Sequence, residues 1–165
     1  MTDTAGCLRR SFVGAVIAVA IVTTGPVATA RADNTRLNNS VFGNIYTAQK
    51  QNGCTTNPRL DGRLVEAARR HSGDVLNNPD INGDIGSDGS TVHDRAAAAG
   101  FNGPVVETIA INPALAINGI EILNQWWYDP PSRAAMQDCR NTAIGVWSDN
   151  SLARSVVVAV YGQTS

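Results

Sequence analysis

The sequence predicts an α+β domain in which helices flank a small sheet whose strands lie late in the chain. Three observations carry this prediction. Apolar residues recur at helical spacing through residues 41–75 and again before Trp127, whereas residues 105–111, 142–147 and 155–161 are β-rich runs. Clusters of Gly, Pro, Asn and Asp separate these segments. No internal repeat, low-complexity tract or second domain is visible, and 165 residues suit one domain of ordinary size.

The elements follow in order. Asp33 to Asn38 is polar and reads as a loose N-terminus. Asn39 or Ser40 caps a first helix, Val41, Ile45 and Ala48 share one face, and Gly53 stops it. Asp61 caps a second helix with Leu64, Ala68, His71 and Val75 on its apolar side, ended by Asn77-Asn78-Pro79. Asp80 to Gly89 is a glycine- and aspartate-rich loop without periodicity, a turn or binding segment. Ser90 caps a short third helix that Gly100 closes. Val105 to Ile111 is a buried strand. Asn112-Pro113 then starts a helix running to about Trp127, with Ala116, Ile120, Leu123 and Trp127 on one stripe. Asp129-Pro130-Pro131 breaks it. The last two strands pair antiparallel through a polar turn at Ser148–Arg154.

The N-terminus has the pattern of an export signal. Arg9 and Arg10 precede an uninterrupted apolar or small run from Phe12 to Val22, and Ala30-Arg31-Ala32 supplies a small-x-small cleavage site. Cleavage is expected after Ala32, leaving Asp33–Ser165. The run is too short to span a bilayer, which needs about twenty residues. Cys7 precedes the apolar run, so it does not mark a lipoprotein. Of thirteen Lys and Arg and fourteen Asp and Glu, three arginines and one aspartate fall in the leader, so the mature chain carries a net charge of −3. That balance excludes an electrostatic footprint for nucleic acid or an anionic membrane. Cys54 and Cys139 alone survive cleavage, and in an exported chain they are expected to pair. The bond closes a long loop and would restrict the unfolded chain by about 4–5 kcal/mol in the chain-entropy model.

A series of short motifs resembles one family. The pieces are HS at 71–72, SDGS at 87–90, DR at 94–95, AGF at 99–101, ETIA at 107–110, a tryptophan closing the long helix at 127, SRAAM at 132–136 and TAIGV at 142–146. Their order and spacing resemble the CAP superfamily (cysteine-rich secretory proteins, antigen 5 and pathogenesis-related proteins) over roughly residues 40–162. Bacterial, and especially actinobacterial, members are similarly plain, lacking the extra cysteines of animal members. The resemblance implies a three-layer α-β-α sandwich. It also implies a pocket with two histidines and acidic residues, a donor set suited to a divalent metal.

Residue by residue, that pocket changes. The position of the first histidine, four residues before the Asp-Gly pair, is Asp84. The acid of the GENIA-like motif is kept as Glu107, with Val106 and Thr108 beside it. The second histidine position is Ser132. Asp129 falls near a further acidic position. Asp84 and Glu107 suit a hard cation through oxygen but not a nitrogen-rich zinc site, so no metal or other cofactor is expected.

Other residues carry simpler readings. His71 lies on an apolar stripe and reads as a buried, hydrogen-bonded histidine. His93 reads as a surface or capping residue. Arg95, of the DR motif, and Trp127 read as framework. No serine sits in a nucleophile elbow, and no Cys–His pair remains if the cysteines are bonded. Asp80, Asn82 and Asp84 match the first three ligands of a calcium loop, but Ile85 stands where glycine is required and Thr91 where a closing glutamate belongs. Turn and cap bonds account for these aspartates. Trp126 and Trp127 cannot share one helix face, so a groove lined by Trp126 and Tyr128 is a candidate apolar site beside the default of core packing.

These readings point to a secreted, non-catalytic binder of a lipid-like small molecule or of an envelope or host component. Two alternatives stay open. One is a hydrolase using Asp84 and Glu107 as a carboxylate pair with separated pKa values. The other is an interaction protein whose pocket is vestigial.

Overall fold

The computed structural model describes residues 34–113 and 116–164. The leader, its cleavage site and Cys7 lie outside the described residues. Nine elements follow in order: α1 (Thr35–Gln51), β1 (Arg59–Leu60), α2 (Gly62–Asn77), α3 (Val92–Ala98), β2 (Val105–Asn112), α4 (Gly119–Tyr128), α5 (Pro130–Gln137), β3 (Ala143–Asn150) and β4 (Ser155–Gly162). The strands form one sheet in the order β1-β3-β4-β2. The pairs β3–β4 and β2–β4 are antiparallel, and β1–β3 is parallel.

Strand β4 organises the three layers. All eight of its residues are buried. Successive side chains of a strand point to opposite faces. Val156, Val158 and Val160 therefore join Leu64, Ala67, Ala68, Val75, Ala96 and Phe101 in a core under α2 and α3. Val157, Ala159 and Tyr161 join Val41, Ile45, Ile122, Trp126 and Met136 in a second core under α1, α4 and α5. A strand covered on both faces reads as a continuous apolar run, which explains SVVVAVYG. The result is the expected α-β-α sandwich.

Two glycines set the layer spacing. A methyl group on Gly145 would overlap the backbone of Leu64 and Val65, so only glycine lets α2 lie this close to β3. A methyl on Gly162 would sit 2.5 Å from Phe101 and 2.8 Å from Leu64.

Several boundaries differ from the sequence reading. Helix α1 begins at Thr35, because the segment read as loose is tethered: Asn34 donates to Ser148 O and Asn150 Oδ1, and Ser148 Oγ donates to Asn38. The two-residue strand β1 was not foreseen, since nothing in Arg59-Leu60 signals a pairing made by distant Ala143 and Ile144. Thr91, not Ser90, caps α3, in a reciprocal box with Asp94. Helix α4 starts six residues after Pro113. The β2–β4 ladder holds Asn112 opposite Ser155, and Asn118 caps the helix by accepting from Ile120 and Glu121 N–H. That shift rotates the helix's buried side. Ile122 and Trp126 face the core, whereas Ile120 is 73% exposed and Leu123 and Trp127 are only partly buried against it. The groove between Trp126 and Tyr128 is therefore absent: Trp126 is in the core and Tyr128 is 81% exposed. Asp129, read as the end of one helix, also begins the next, capping α5 through Ser132 N–H with Pro130 in its first turn.

Cys54 and Cys139 form the expected disulfide, 85 residues apart in sequence, tying the end of α1 to the entry of β3. Beside it, buried Gln49 donates to the carbonyls of Asp138 and Asn141, so the bond closes onto an already held turn.

Two tests follow. The intact mass of the non-reduced secreted protein should fall two hydrogens short of the free-thiol mass, and replacing both cysteines with serine should lower stability by about 2–5 kcal/mol in denaturant titration. Trp126→Ala should cost about 3–5 kcal/mol, as expected for a buried aromatic, and Trp127→Ala less than half of that. Equal losses would contradict the assigned helix face.

Candidate functional site

Glu107 lies on β2 on the same face as Val105 and Ile109, which pack toward α2 and α3. Its side chain is only 1% exposed. Two buried groups from the covering helices reach it. Arg95 of α3, 3% exposed, donates through Nη2 to Glu107 Oε1 at 2.5 Å. His71 of α2, fully buried, has Nε2 at 3.6 Å from the same oxygen. The helical spacing that puts His71 on the apolar side of α2 is what delivers an imidazole here, and the cap at Thr91 sets the turn that delivers Arg95.

Both groups also hold the loop at 80–90. Arg95 donates to the Asp84 carbonyl at 2.8 Å and to the Ser90 carbonyl at 2.7 Å. His71 Nε2 is 3.0 Å from the Gly83 carbonyl. A carbonyl only accepts, so Nε2 carries the proton and Nδ1 is bare. From the far side, Arg154 donates to the Ile81 carbonyl. A loop without regular structure is thus pinned through four of its own carbonyls. His71 Nδ1, Arg95 Nε and Glu107 Oε2 are buried without a hydrogen-bond partner among the described residues.

The electrostatics follow from burial. Desolvation pushes the Glu107 carboxyl up to about 8; the neighbouring Asp84 carboxylate adds to the rise and Arg95 opposes it. Desolvation, with Arg95 beside it, lowers the His71 pKa. The Arg95–Glu107 hydrogen bond can form with either protonation state of the acid, because Arg95 is always the donor.

The candidate residues are therefore dispersed in their exposure. Asp84 is exposed, and it is its backbone carbonyl that Arg95 binds. Glu107 is sealed beneath the loop. Ser132 sits in the first turn of α5, its N–H on Asp129, and no hydrogen bond among the described residues joins it to Asp84 or Glu107. His93 is exposed on α3. The HS pair serves two directions: while His71 holds the loop, Ser72 Oγ donates at 2.7 Å to buried Asp149 of β3, which also accepts from Trp147 Nε1. Asp149 went unrecognised because its sequence context, Ser-Asp-Asn, reads as a polar turn.

Asp84, Glu107 and Ser132 line neither of two clefts on the surface. A cleft of 340 Å³ lies at the Asn34–Leu37 end of α1, against Ile117, Asp149 and Val156. A second, of 260 Å³, lies between α2 and the 80–90 loop, lined by Arg70, Asp74, Ser87, Asp88, Ser90 and Arg95. Among the described residues no three His, Cys, Asp or Glu side chains gather closely enough to hold a metal ion.

No protein-family model matches the sequence, and no curated protein matches it. Solved structures match its fold. An outer surface protein of Borrelia burgdorferi superposes with a TM-score of 0.71 at 16% identity, over 82% of this chain and 98% of that one. An extracellular SCP-domain protein of Bacillus anthracis gives 0.67 at 16% identity, over 79% and 41%. A cysteine-rich secretory protein of Staphylococcus aureus gives 0.59 at 8% identity, over 79% and 39%. The chain spans about two fifths of the latter two proteins. The chain shares the fold of these structures, an SCP-domain protein among them; at these identities the likeness is one of fold.

The buried acid makes a signed prediction. With its folded pKa of about 8 above the ordinary value of 4.5, Glu107 holds its proton more tightly in the native state. Its contribution to stability is complete below the unfolded value and is lost as pH rises through about 8. His71, shifted downward from 6.5, contributes in the opposite sense, losing stability as pH falls below that value. Melting temperatures measured from pH 5 to 8 should fall less steeply in Glu107→Gln than in the parent. Parallel curves would exclude Glu107 as the titrating group.

Proposed function

We propose that the protein is exported and acts by binding, without catalysis, holding a lipid-like molecule or an envelope or host component against an apolar face on α4. The observation that carries this reading is the composition of that helix. Ile122 and Trp126 already fill the core, yet Ile120 and Tyr128 are exposed to water and Leu123 and Trp127 are partly so. Apolar groups on both sides of a surface helix are more than its own packing requires.

Export is supported by the leader pattern, by the disulfide, which persists in oxidising compartments, and by a fold shared with extracellular and outer-surface proteins. No helix among the described residues is long and apolar enough to cross a membrane. The absence of catalysis is supported by Glu107. An acid sealed from solvent and bonded to Arg95 is poorly placed to share a substrate with exposed Asp84.

The test uses a fluorescent fatty acid and a fluorescent sterol with the secreted protein. Saturable binding should weaken at least about tenfold in an Ile120→Asp, Tyr128→Ala double variant that melts like the parent. Undiminished binding in that variant would remove α4 from the proposal. Hydrolysis of ester, peptide or glycan substrates, abolished by Glu107→Ala, would replace it with the carboxylate-pair enzyme.

A further inference from the structure

The cleft between α2 and the 80–90 loop has features that the α4 reading does not use. Its loop wall is held in place from beneath: the carbonyls of Gly83, Asp84 and Ser90 are bound by buried His71 and Arg95. A binding surface fixed in advance loses less freedom on taking a ligand. Its α2 wall is equally fixed. Asp74 accepts from both Ser87 N–H and Ser87 Oγ, and from Asn78.

The floor gathers acceptors on one side. Asp88 Oδ1, Ser90 Oγ and Asp74 Oδ2 converge beside Gly86, where a methyl group would lie 2.8 Å from the first two and 3.1 Å from the third. Facing them are two guanidinium groups. Arg95 lines the same cleft with its side chain 3% exposed and its Nη groups already bound to Ser90, Asp84 and Glu107. Arg70 stands exposed at the rim, and no hydrogen bond or ion pair among the described residues engages its guanidinium.

This mixture of charges selects a ligand class. The carboxylates of Asp74 and Asp88 repel an anion, and the guanidinium groups of Arg70 and Arg95 repel a cation. A neutral molecule whose groups both donate and accept meets neither repulsion. Adjacent hydroxyls are such groups, giving protons to carboxylate oxygens while accepting from the exposed Arg70 guanidinium. The volume of 260 Å³ suits a single ring-sized unit. We propose that the cleft formed by Arg70, Asp74, Asp88, Ser90 and Arg95 is a binding site for one neutral sugar unit, engaged through vicinal hydroxyls. The proposal rests on the reading that the protein acts by binding, at a place separate from α4.

The experiment is a titration of the isotope-labelled secreted protein, followed by amide chemical shifts. Glucose, galactose, mannose and N-acetylglucosamine form the sugar arms, with calcium chloride and inorganic phosphate as ionic arms. At least one sugar should move the Gly86–Ser90 and Arg70 amides with a dissociation constant of about 1–10 mM, typical of a small polar contact set. Arg70→Ala and Asp88→Asn should each weaken that binding about tenfold without altering the melting temperature. The proposal is overturned if no sugar shifts these amides, if calcium or phosphate shifts them and sugars do not, or if both variants bind like the parent. Failure of the fatty-acid and sterol assays, with sugar binding intact, would overturn the α4 reading and leave this one standing. Glycan cleavage would instead overturn the binding-only reading that both share.

Discussion

A guanidinium withdrawn from water must recover its hydrogen bonds inside the protein, and Arg95 recovers them from three acceptors at once: the Asp84 carbonyl, the Ser90 carbonyl and the Glu107 carboxyl. That requirement fixes the 80–90 loop, which has no secondary structure to fix it. It also closes the space above Glu107. His71 completes the arrangement by holding Gly83 from the neighbouring helix. The cleft on the outer side of the loop has its shape because the inner side is tied down.

The same constraint bears on catalysis. A carboxyl group useful to a substrate needs an open path and a protonation state suited to its role. Glu107 has a raised pKa, which in a cleft would favour a general acid. Here burial causes the rise, and burial also denies access. Asp84 has the opposite condition: its carboxylate faces solvent, and its position is set through its main chain. Two acids assigned to one pocket from sequence motifs therefore do not amount to a working pair.

The sandwich around this site depends on close approach. Strand β4 is apolar on both faces because helices cover both, and β3 accepts α2 at glycine distance at Gly145. The disulfide holds the outer end of the other layer, where α1 meets the turn before β3. Helix α4 stands apart, since its apolar residues exceed what the core takes up. Ile120 and Tyr128 are left facing water beside a fully buried Trp126.

Periodicity and residue chemistry alone were enough for the class of fold, helix α2 with its Asp61 cap, the three long strands and the disulfide, because each is written in local pattern or in the count of cysteines. The burial of His71 was legible in the same way, from its place on an apolar stripe. What tertiary structure decided were matters that depend on distant partners. The start of α4 was set by the β2–β4 ladder and the Asn118 cap, against the local signal at Asn112-Pro113, and with it the exchange of Trp127 for Trp126 in the core. Strand β1 exists only because β3 lies beside it. The state of Glu107 was decided the same way. Sequence identified the acid, but whether it meets water or Arg95 is a question of what packs above it, and hydrogen bonds between residues far apart in the chain leave no periodic trace in the sequence.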